Sequence, residues 1–375
     1  MPEIEIVPYT AEYREQVLQV QRHLWSRDLA LNRAYLTWKY EDNPYLPSPT
    51  IALAIHRGTV VGMRGLVGAR WQLGTSGRTI DMPFADDLVV APEHRGQGIS
   101  ARLIRATCGF ARGLGHRFVL NLRGGPMTVL DSLAAGFRPI GAMQPVAKSR
   151  PQDGAVARIR ERLGRTRVLW RLTQVDRLRP ASDRRPFRQL DRGREGPSWP
   201  AGVRVTAEAD PAAMATLSER LPRDERIRHV HDRQYFDWVF SNPRLEYRFL
   251  YLGGGELDGY LVLHRERAPA SWPATVWIVD WESASDPGWG GLLEAAAEGG
   301  VFARLAVWTG TLPDAALAAL SASGFEPTDL QARARGRPAA LIWPADDGAP
   351  DHPLEVEGRR LDELAAWRFR MLDQD

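Results

Sequence analysis

The spacing of hydrophobic residues changes along the first half of the chain between a period of two and a period near 3.6. Alternating apolar and polar residues are typical of half-buried strands, whereas apolar residues three or four positions apart indicate one face of a helix. Val17, Val20 and Leu24 have the helical spacing, and a turn at 57–59 separates two apolar runs. The predicted elements are, in chain order, a strand at 4–7, a helix at 11–25, a helix ending at 43–44, and antiparallel strands at 51–55 and 60–71.

A strand, a glycine turn and a helix follow one another after Asp86. Leu88–Val90 is a short β-branched apolar run, Pro92 ends it, and apolar residues at helical spacing begin at Ile99. Glycines at the start of a helix let the backbone approach a ligand, and the free N–H groups of the first turn attract an anion. The stretch therefore predicts a phosphate or pyrophosphate site. After it come a predicted strand at 118–120, a helix at 127–135 and a strand beginning at 137–140.

Short patterns of the first half recur in the same order in the second half. Between the recurring positions, the pattern predicts strands at 247–252, 260–263, 275–281 and 305–308, and a helix at 290–297. Because the tryptophans recur in both copies, we interpret them as core residues rather than substrate contacts. The recurring positions are Tyr35 and Tyr235, Trp38 and Trp238, Asn43–Pro44 and Asn242–Pro243, Asp87 and Asp280, and Gly136–Phe137 and Gly324–Phe325.

The length of 375 residues is long for one domain and comfortable for two. The repeat predicts a first domain at 1–147 and a second at 201–345, with a strand and helix tail at 346–375 that includes a helix over 361–372. Between the domains, residues 148–200 are rich in arginine. Their first part has the spacing of an amphipathic helix, and the remainder has the composition of a linker.

Charge and cysteine content narrow the class of protein. With 49 Lys and Arg against 46 Asp and Glu, the net charge is +3, which does not indicate a polybasic nucleic-acid binder. One cysteine, Cys108, excludes an intrachain disulfide framework, and we expect it on the buried face of its helix. The acidic N-terminal residues do not resemble a signal peptide, and no apolar run is long enough for a membrane helix. We expect a cytoplasmic protein that does not bind membranes.

The glycine turn can be assigned to a family by its neighbours. It lacks the Gly-Lys-Ser/Thr ending of a P-loop and the three glycines of a dinucleotide fingerprint. It resembles the pyrophosphate loop of the GNAT superfamily of acyl-CoA-dependent N-acetyltransferases, which reads Arg/Gln-x-x-Gly-x-Gly/Ala after Leu-x-Val-x-Pro. Gly136–Phe137 resembles the Gly-Phe segment of that family. The matching positions are Leu88, Val90, Pro92, Arg95, Gly98 and Ser100, of which Ser100 departs from the family's Gly/Ala but is still small.

The resemblance implies two tandem GNAT folds of the bacterial two-domain type, each an α/β (α+β) fold with a mixed, mostly antiparallel twisted sheet flanked by helices. It implies acetyl-CoA as co-substrate and a primary amine of a small molecule as acceptor. The second copy has no arginine in its loop and places Asp286 where pyrophosphate would lie, so we expect it to be degenerate. The residues implied in donor binding are Leu88, Val89, Val90, Arg95, Gly96, Gln97, Gly98, Ile99 and Ser100.

The catalytic groups are less well defined. Asp86 and Asp87 are the candidates for the general base, and strand alternation should send their side chains to opposite faces. We prefer Asp87, because Asp280 occupies the corresponding place in the repeat. The tyrosine that often serves as general acid in the family is replaced by Ser132, and a frequent asparagine by Gly125. Candidate substitutes for the acid are Tyr235, Tyr260 and His94.

Two other functions remain open. An acyl-CoA-binding sensor or scaffold without turnover would explain the replacements at Ser132 and Gly125. An aminoacyl-tRNA-dependent transferase of similar fold is encouraged only by the arginine-rich linker, and nucleic-acid binding is not expected. No metal is predicted, because His229 and His231 are interpreted as a solvated helix entrance. The repeat predicts a pseudo-dimer within one chain, which would be a monomer or a homodimer.

Overall fold

A computed structural model gives the fold, and it describes residues 4–122, 124–149, 187–191, 202–267, 275–300, 302–328, 339–345 and 354–374. Helix α2 continues into one π-helical turn, Thr37–Glu41. The elements of the first half are β1 (Glu5–Pro8), α1 (Arg14–Gln21), α2 (Leu29–Leu36), β2 (Thr50–His56), β3 (Thr59–Val67), β4 (Arg70–Leu73), β5 (Thr79–Asp81), β6 (Phe84–Val90), α3 (Ile99–Gly113), β7 (Phe118–Asn121), α4 (Pro126–Ala134), β8 (Arg138–Ala142) and β9 (Pro145–Ser149).

The second half has the same alternation of helices and strands. Its described elements are α5 (Arg188–Asp191), β10 (Val203–Thr206), α6 (Pro211–Arg220), β11 (Ile227–His229), α7 (Arg233–Val239), β12 (Leu245–Leu252), β13 (Gly259–Glu266), β14 (Thr275–Ser283), α8 (Asp286–Gly299), β15 (Arg304–Trp308), α9 (Asp314–Ala322), β16 (Glu326–Pro327), β17 (Ala339–Pro344), β18 (Glu355–Val356), β19 (Arg359–Arg360) and β20 (Trp367–Arg368).

Each half is built on a seven-stranded mixed sheet flanked by helices, as expected of a tandem fold. The first sheet has the order β1-β2-β3-β6-β7-β17-β8 and the second the order β10-β12-β13-β14-β15-β9-β16. Most pairs are antiparallel, whereas β6 with β7 and β14 with β15 are parallel. In the first sheet β6 and β7 pair at Phe84 and Leu120, and the strands separate beyond that point.

The two halves exchange their last strands. β17 belongs by sequence to the second half but lies between β7 and β8 of the first sheet. Conversely, β9 follows the first repeat and pairs with β15 and β16 of the second sheet. Strand pairing therefore crosses the expected boundaries near 147 and 345. The arginine-rich segment 148–200 lies outside the described residues except for 148–149 and 187–191.

A third sheet joins the halves. It has the order β20-β11-β4-β5, so that β11 of the second half pairs with β4 of the first and with the C-terminal β20. The single strand predicted over 60–71 is therefore wrong, because the chain leaves the first sheet after β3 and enters this one at β4. The break falls at Gly68, where a Cβ atom would lie 2.7 Å from the backbone of Tyr45.

The repeated tryptophans meet at the centre of the molecule. The Trp38 and Trp238 rings stack with centroids 5.1 Å apart. Each indole Nε1 donates to the other residue's carbonyl oxygen at 2.8 Å, which gives the contact a twofold pattern. Arg244 adds a cation–π contact across the same boundary, with its guanidinium 3.8 Å from the Trp25 ring centroid.

The remaining sequence expectations divide clearly. Cys108 is buried on α3, as expected. The helix predicted over 361–372 is wrong, because that segment contains two 3₁₀ turns on either side of β20. Its apolar residues are buried by strand pairing to β11 rather than along one helical face. Among the described residues, no helix combines the length and apolar character needed to cross a bilayer.

Candidate functional site

The glycine loop between β6 and α3 exposes the N-terminus of α3. Gly96 and Gly98 have φ values of +76° and +70°, and a Cβ atom on either would meet no protein atom within 4 Å. Helix α3 has no side-chain cap and no acidic residue in its first turn. The exposed Arg95 donates from Nε to the Val90 carbonyl at 3.0 Å, which ties the loop to the end of β6. A free helix N-terminus beside an arginine is suited to a pyrophosphate group.

The other expected donor residues lie along the same path. Leu88 and Val90 are half-buried at the separated edge of β6, while Val89 is buried. Ile99 is buried at the start of α3, Gln97 is exposed on the loop, and Ser100 donates to an Asp131 carboxylate oxygen at 2.5 Å. The glycine loop and the part of β6 that separates from β7 adjoin each other along the chain, and these two stretches, 88–90 and 95–100, are together called the donor groove below.

A bulge in β6 determines where the two candidate bases point. Asp87 has a φ of +55°, and the pairing of β3 with β6 shifts register between Met63 and Gly65. A residue with positive φ does not continue the alternation of an extended strand. The expectation that Asp86 and Asp87 face opposite sides is therefore wrong. Both carboxylates reach the same ammonium group, that of Lys39.

Lys39 is the centre of a buried cluster that the sequence pattern did not reveal. Its Nζ lies 2.6 Å from Asp86 Oδ2 and 3.0 Å from Asp87 Oδ1, and it donates to the Tyr35 hydroxyl at 2.9 Å. The Lys39 side chain is 1% exposed, that of Asp87 0% and that of Asp86 29%. The nearest sequence signal is the charge itself, a lysine between the buried Trp38 and Tyr40.

Burial and pairing act in opposite directions on these groups. Burial alone would lower the pKa of Lys39, but Asp86 and Asp87 together hold that pKa well above its usual value. Burial raises the pKa of Asp87 despite the neighbouring Lys39, and it raises the pKa of Tyr35 to about 12. Lys39 is therefore cationic at neutral pH, and Tyr35 is neutral.

Residues of both halves enclose a small cavity beside Asp86. The cavity has a volume of about 10 Å³, which is room for roughly one water molecule. The Tyr235 hydroxyl donates to the Leu372 carbonyl at 3.2 Å and so ties the C-terminal segment to this wall. The residues that line the cavity are Lys39, Val67, Gly68, Phe84 and Asp86 of the first half and His229, Tyr235, Trp238, Leu372 and Asp373 of the second.

Arg64 is a second buried cation at the bulge that sequence reasoning missed. It stands on β3 opposite Asp87 and Leu88 and is 1% exposed. Within the described part of the chain, none of its guanidinium nitrogens has a hydrogen-bond partner. Its guanidinium carbon lies 5.9 Å from the Phe137 ring centroid. Burial lowers the pKa of Arg64 to about 10, and Cys108 and Asp86 act in the opposite direction. The residue is still cationic at neutral pH, and it carries an unneutralised charge next to the groove.

The candidates for the general acid are dispersed. Ser132 is buried on α4, and its hydroxyl has no partner, whereas Gly125 stands at the N-cap of that helix. Tyr260 donates to Asp280 at 2.8 Å inside the second half, so it is not brought to Asp86. His94 packs edge-on against His56 with ring centroids 4.9 Å apart, beside the glycine loop. Only Tyr235 shares a cavity with Asp86.

His229 is buried and His231 is half-buried, so the expectation of a solvated helix entrance is wrong. His231 Nε2 lies 3.1 Å from Asp373 and its Nδ1 lies 3.6 Å from Asp280, and these carboxylates raise its pKa against the effect of burial. Burial lowers the pKa of His229 to about 4. One ligand atom each from His229, His231 and Asp373 lies within 4.8 Å of the others, a donor set that could hold a metal ion.

The second half repeats this arrangement without an arginine at its loop. Asp280, the counterpart of Asp87, is buried and accepts from Tyr260 and from Arg370 Nε at 3.3 Å. Helix α8 begins at Asp286, and that carboxylate lies in its first turn. The charged residues that line a groove between α8 and α9 are Glu282, Asp286, Asp314 and Arg368, and Arg368 is paired with Glu282, so that the two aspartates remain. These charges oppose a pyrophosphate group there.

Comparison with known proteins gives a family match within the first half of the chain. Residues 14–124 match the model of the acetyltransferase (GNAT) family. The chain carries a GNAT domain. No curated protein matches the sequence.

Solved structures extend the GNAT assignment to the fold of the whole chain. The structure of a GCN5-related N-acetyltransferase from Anabaena variabilis has a TM-score of 0.55 at 13% identity, with 92% of this chain and 73% of that chain covered. A tandem GNAT protein from the clavulanic acid biosynthesis pathway has a TM-score of 0.52 at 15% identity, with 92% of this chain and 100% of that chain covered. The protein therefore has a tandem GNAT fold.

Proposed function

We propose that the protein transfers an acetyl group from acetyl-CoA to a primary amine of a small molecule, by direct attack of the amine on the thioester in a ternary complex. The family of the first domain supports acyl transfer in general. The observation that carries the proposal is the uncapped N-terminus of α3 with its open glycine loop, which follows directly on the part of β6 that separates from β7.

The groove matches the parts of an acyl-CoA molecule in order. The backbone N–H groups at the start of α3, with Arg95, would hold the pyrophosphate. The backbone of Leu88–Val90 has no strand partner on the β7 side among the described residues. Apart from the Val90 carbonyl, which accepts from Arg95, polar groups on that side would be available to the pantetheine arm and to the thioester carbonyl.

Asp86 is placed best to receive the proton of the amine. Its carboxylate lines the enclosed cavity and is partly exposed, whereas the Asp87 carboxylate is fully buried. The amine nitrogen forms a bond to the carbonyl carbon, its proton passes to Asp86 through one water in that cavity, and the carbon–sulfur bond breaks. The sulfur leaves as a thiolate that later takes a proton from solvent. Lys39 fixes the two carboxylates, and the field of the Arg64 guanidinium stabilises the negative charge that develops on sulfur.

A charge reversal in the loop tests donor binding. Arg95→Glu should weaken acetyl-CoA binding by at least about tenfold, because an attraction to pyrophosphate becomes a repulsion. Titration calorimetry measures this, with thiol release on a panel of amines as the activity assay. The matched control is Arg105→Glu, an exposed arginine on α3 outside the loop, which should bind acetyl-CoA normally. Equal affinity in both folded variants would exclude this site.

Asp86→Asn tests the proton acceptor. We expect turnover to fall by about 10²–10⁴-fold, with acetyl-CoA affinity little changed, because a positioned base contributes on that scale. Asp87→Asn should instead lower the free energy of unfolding, since it leaves Lys39 with one buried partner. If Asp87→Asn abolishes turnover while Asp86→Asn does not, the assignment of the base is reversed.

A sensor that binds acyl-CoA without turnover is the second candidate function. It is favoured by the cavity beside Asp86, which holds about one water molecule and leaves no room for an acceptor in this conformation. It is also favoured by Ser132, which stands where the family often has a tyrosine as general acid. Tight acetyl-CoA binding with no thiol release on any amine would support this function instead.

A further inference from the structure

Three arginines stand next to one another on one face of the sheet that joins the two halves. Arg228 on β11 pairs in register with Arg368 on β20, and Arg370 follows two residues later along the chain. Like charges directly opposite each other on a sheet repel. Their side chains line a cavity of about 170 Å³, together with the exposed Arg223.

The acidic groups nearby do not neutralise Arg228. Glu282 forms ion pairs with Arg368 at 2.6 Å and with Arg370, so its negative charge is already balanced by these two arginines. Asp232 caps α7 by accepting from the Tyr235 N–H at 2.8 Å, and Glu219 is exposed at the rim. Behind the wall, Asp280 and Asp373 are held by His231 and Arg370.

Arg228 itself is held by an amide. Its Nε donates to Gln72 Oε1 at 3.0 Å. No carboxylate of the described residues forms an ion pair with it, although Glu282 and Asp224 lie near enough to act on its charge. Burial lowers the pKa of Arg228, and Arg368 lowers it further. Among the described residues, Nε of Arg368 and Nη1 of Arg370 also have no hydrogen-bond partner, but both atoms are buried away from the cavity, so the donors that an anion can reach are the remaining nitrogens of these arginines and those of Arg228.

We propose that this cavity is an anion site that binds the phosphate or carboxylate group of a small molecule. The guanidinium fork binds planar and tetrahedral oxyanions through paired hydrogen bonds, and three forks converge here. At about 170 Å³, the cavity has room for one phosphate or a small dicarboxylate. The site does not depend on acyl transfer and is separate from the donor groove.

An anion bound here would hold the two halves together. The wall includes Gln72 and Thr79 of the first half, while the arginines come from β11 and from the C-terminal segment. Because the ligand would bind the folded chain and not the unfolded one, its presence should raise the thermal midpoint in proportion to the logarithm of its concentration.

Titration calorimetry with inorganic phosphate and with succinate tests the site. The wild-type protein should bind at least one of the two, and Arg228→Met should weaken that binding by about tenfold or more, the loss expected for a charge-assisted hydrogen bond. The control Arg233→Met removes an exposed arginine of α7 that does not line the cavity, and it should bind like wild type. Phosphate without succinate would identify the group as a phosphate, and the reverse as a carboxylate.

Two further arms separate this site from the donor loop and from misfolding. Binding should persist in Arg95→Glu, and bound anion should slow amide hydrogen exchange in 227–231 and 367–370. If Arg228→Met does not fold, Arg223→Gln at the exposed rim should still weaken binding. No binding of either probe to the wild type at millimolar concentration would overturn the proposal. So would anion binding that is lost in Arg95→Glu and unchanged in Arg228→Met.

Discussion

Two buried cations at the bulge of β6 have opposite surroundings. Lys39 has two carboxylates and a hydroxyl within 3.0 Å, whereas the guanidinium of Arg64 has no hydrogen-bond partner among the residues that the structure describes. A buried charge without a partner costs several kcal/mol, while removing one member of a buried pair is strongly destabilising. The same type of substitution should therefore have opposite effects on stability at the two positions.

Replacing Arg64 by methionine should keep or raise the free energy of unfolding, by roughly 1–4 kcal/mol, and lower turnover. Lys39→Met is the matched comparison, and it should lose about 3–5 kcal/mol because the buried Asp87 and the partly exposed Asp86 lose their shared cation. Urea unfolding and thiol-release assays on both variants measure this. A loss of stability in Arg64→Met equal to that in Lys39→Met would show that Arg64 has a partner in solution.

Acid should destabilise the protein through His229. Because burial lowers its pKa from 6.5 to about 4, the unfolded chain binds a proton in that range that the folded chain does not. At 1.36 kcal/mol per pKa unit, the free energy of unfolding should fall by about 3 kcal/mol between pH 6.5 and pH 4. His231 acts in a different window: its raised pKa gives stability that is lost above pH 6.5.

Urea unfolding at several pH values checks the role of His229. His229→Gln should lose about 3 kcal/mol less than wild type on going from pH 6.5 to pH 4. His23→Gln, a change at an exposed histidine, should follow the wild-type curve. Parallel curves for wild type and His229→Gln would show that His229 takes up its proton in the folded state.

At the level of secondary structure, the site contains two irregular stretches of backbone, a bulge within β6 and the glycine loop that follows this strand. The bulge at Asp87 turns a second carboxylate toward Lys39, and the loop at 96–98 opens the N-terminus of α3. The gap between β6 and β7 connects them. Each irregular stretch uses a positive φ, a conformation that costs about 1–2 kcal/mol for a residue with a Cβ atom.

The two ends of α3 provide a matched pair of substitutions. Gly98→Ala at the N-terminus and Gly115→Ala beyond the C-terminus both place a Cβ atom at positive φ in open space. Both should lose about 1–2 kcal/mol of stability. Only Gly98→Ala should also weaken acetyl-CoA binding in titration calorimetry, because its Cβ enters the space kept for the ligand. Equal acetyl-CoA affinity in the two variants would place the donor elsewhere.

At the scale of the whole molecule, neither repeat completes its own sheet. The exchange of β9 and β17, the third sheet and the stacked tryptophans make each half depend on the other. Without β17 the first half would expose unpaired edges on β7 and β8, which favour aggregation. The two sequence repeats therefore form one folding unit.

Cutting the gene between 200 and 201 tests this dependence. Residues 1–200 and 201–375 expressed separately should be insoluble or unfolded, and co-expression should return a soluble complex. The control is the full-length chain with a protease site inserted between residues 200 and 201. After cleavage of the folded protein, its two fragments should stay associated, as judged by gel filtration. A stable, soluble 1–200 fragment with cooperative unfolding would contradict the exchange.

Features that depend on near neighbours in the chain could be predicted from the amino-acid sequence. The strand, glycine loop and helix around Arg95, the buried Cys108 and the tandem repeat follow from local spacing and from self-similarity. Their physical basis is local, because periodicity and glycine content set which backbone conformations are accessible. The core role predicted for the tryptophans holds for the buried Trp38, whereas Trp238 is half-buried and lines the cavity beside Asp86.

Features that depend on contacts between distant residues became visible only in the folded structure. Lys39 and the two aspartates are 47 and 48 positions apart, and the bulge that joins them contradicts simple alternation. The strand exchange, the C-terminal β20 in place of a helix, and the convergence of Arg228 with Arg368 are equally long-range. A charge shows in the sequence wherever it stands, but its partner and its burial are set only when the sheets assemble.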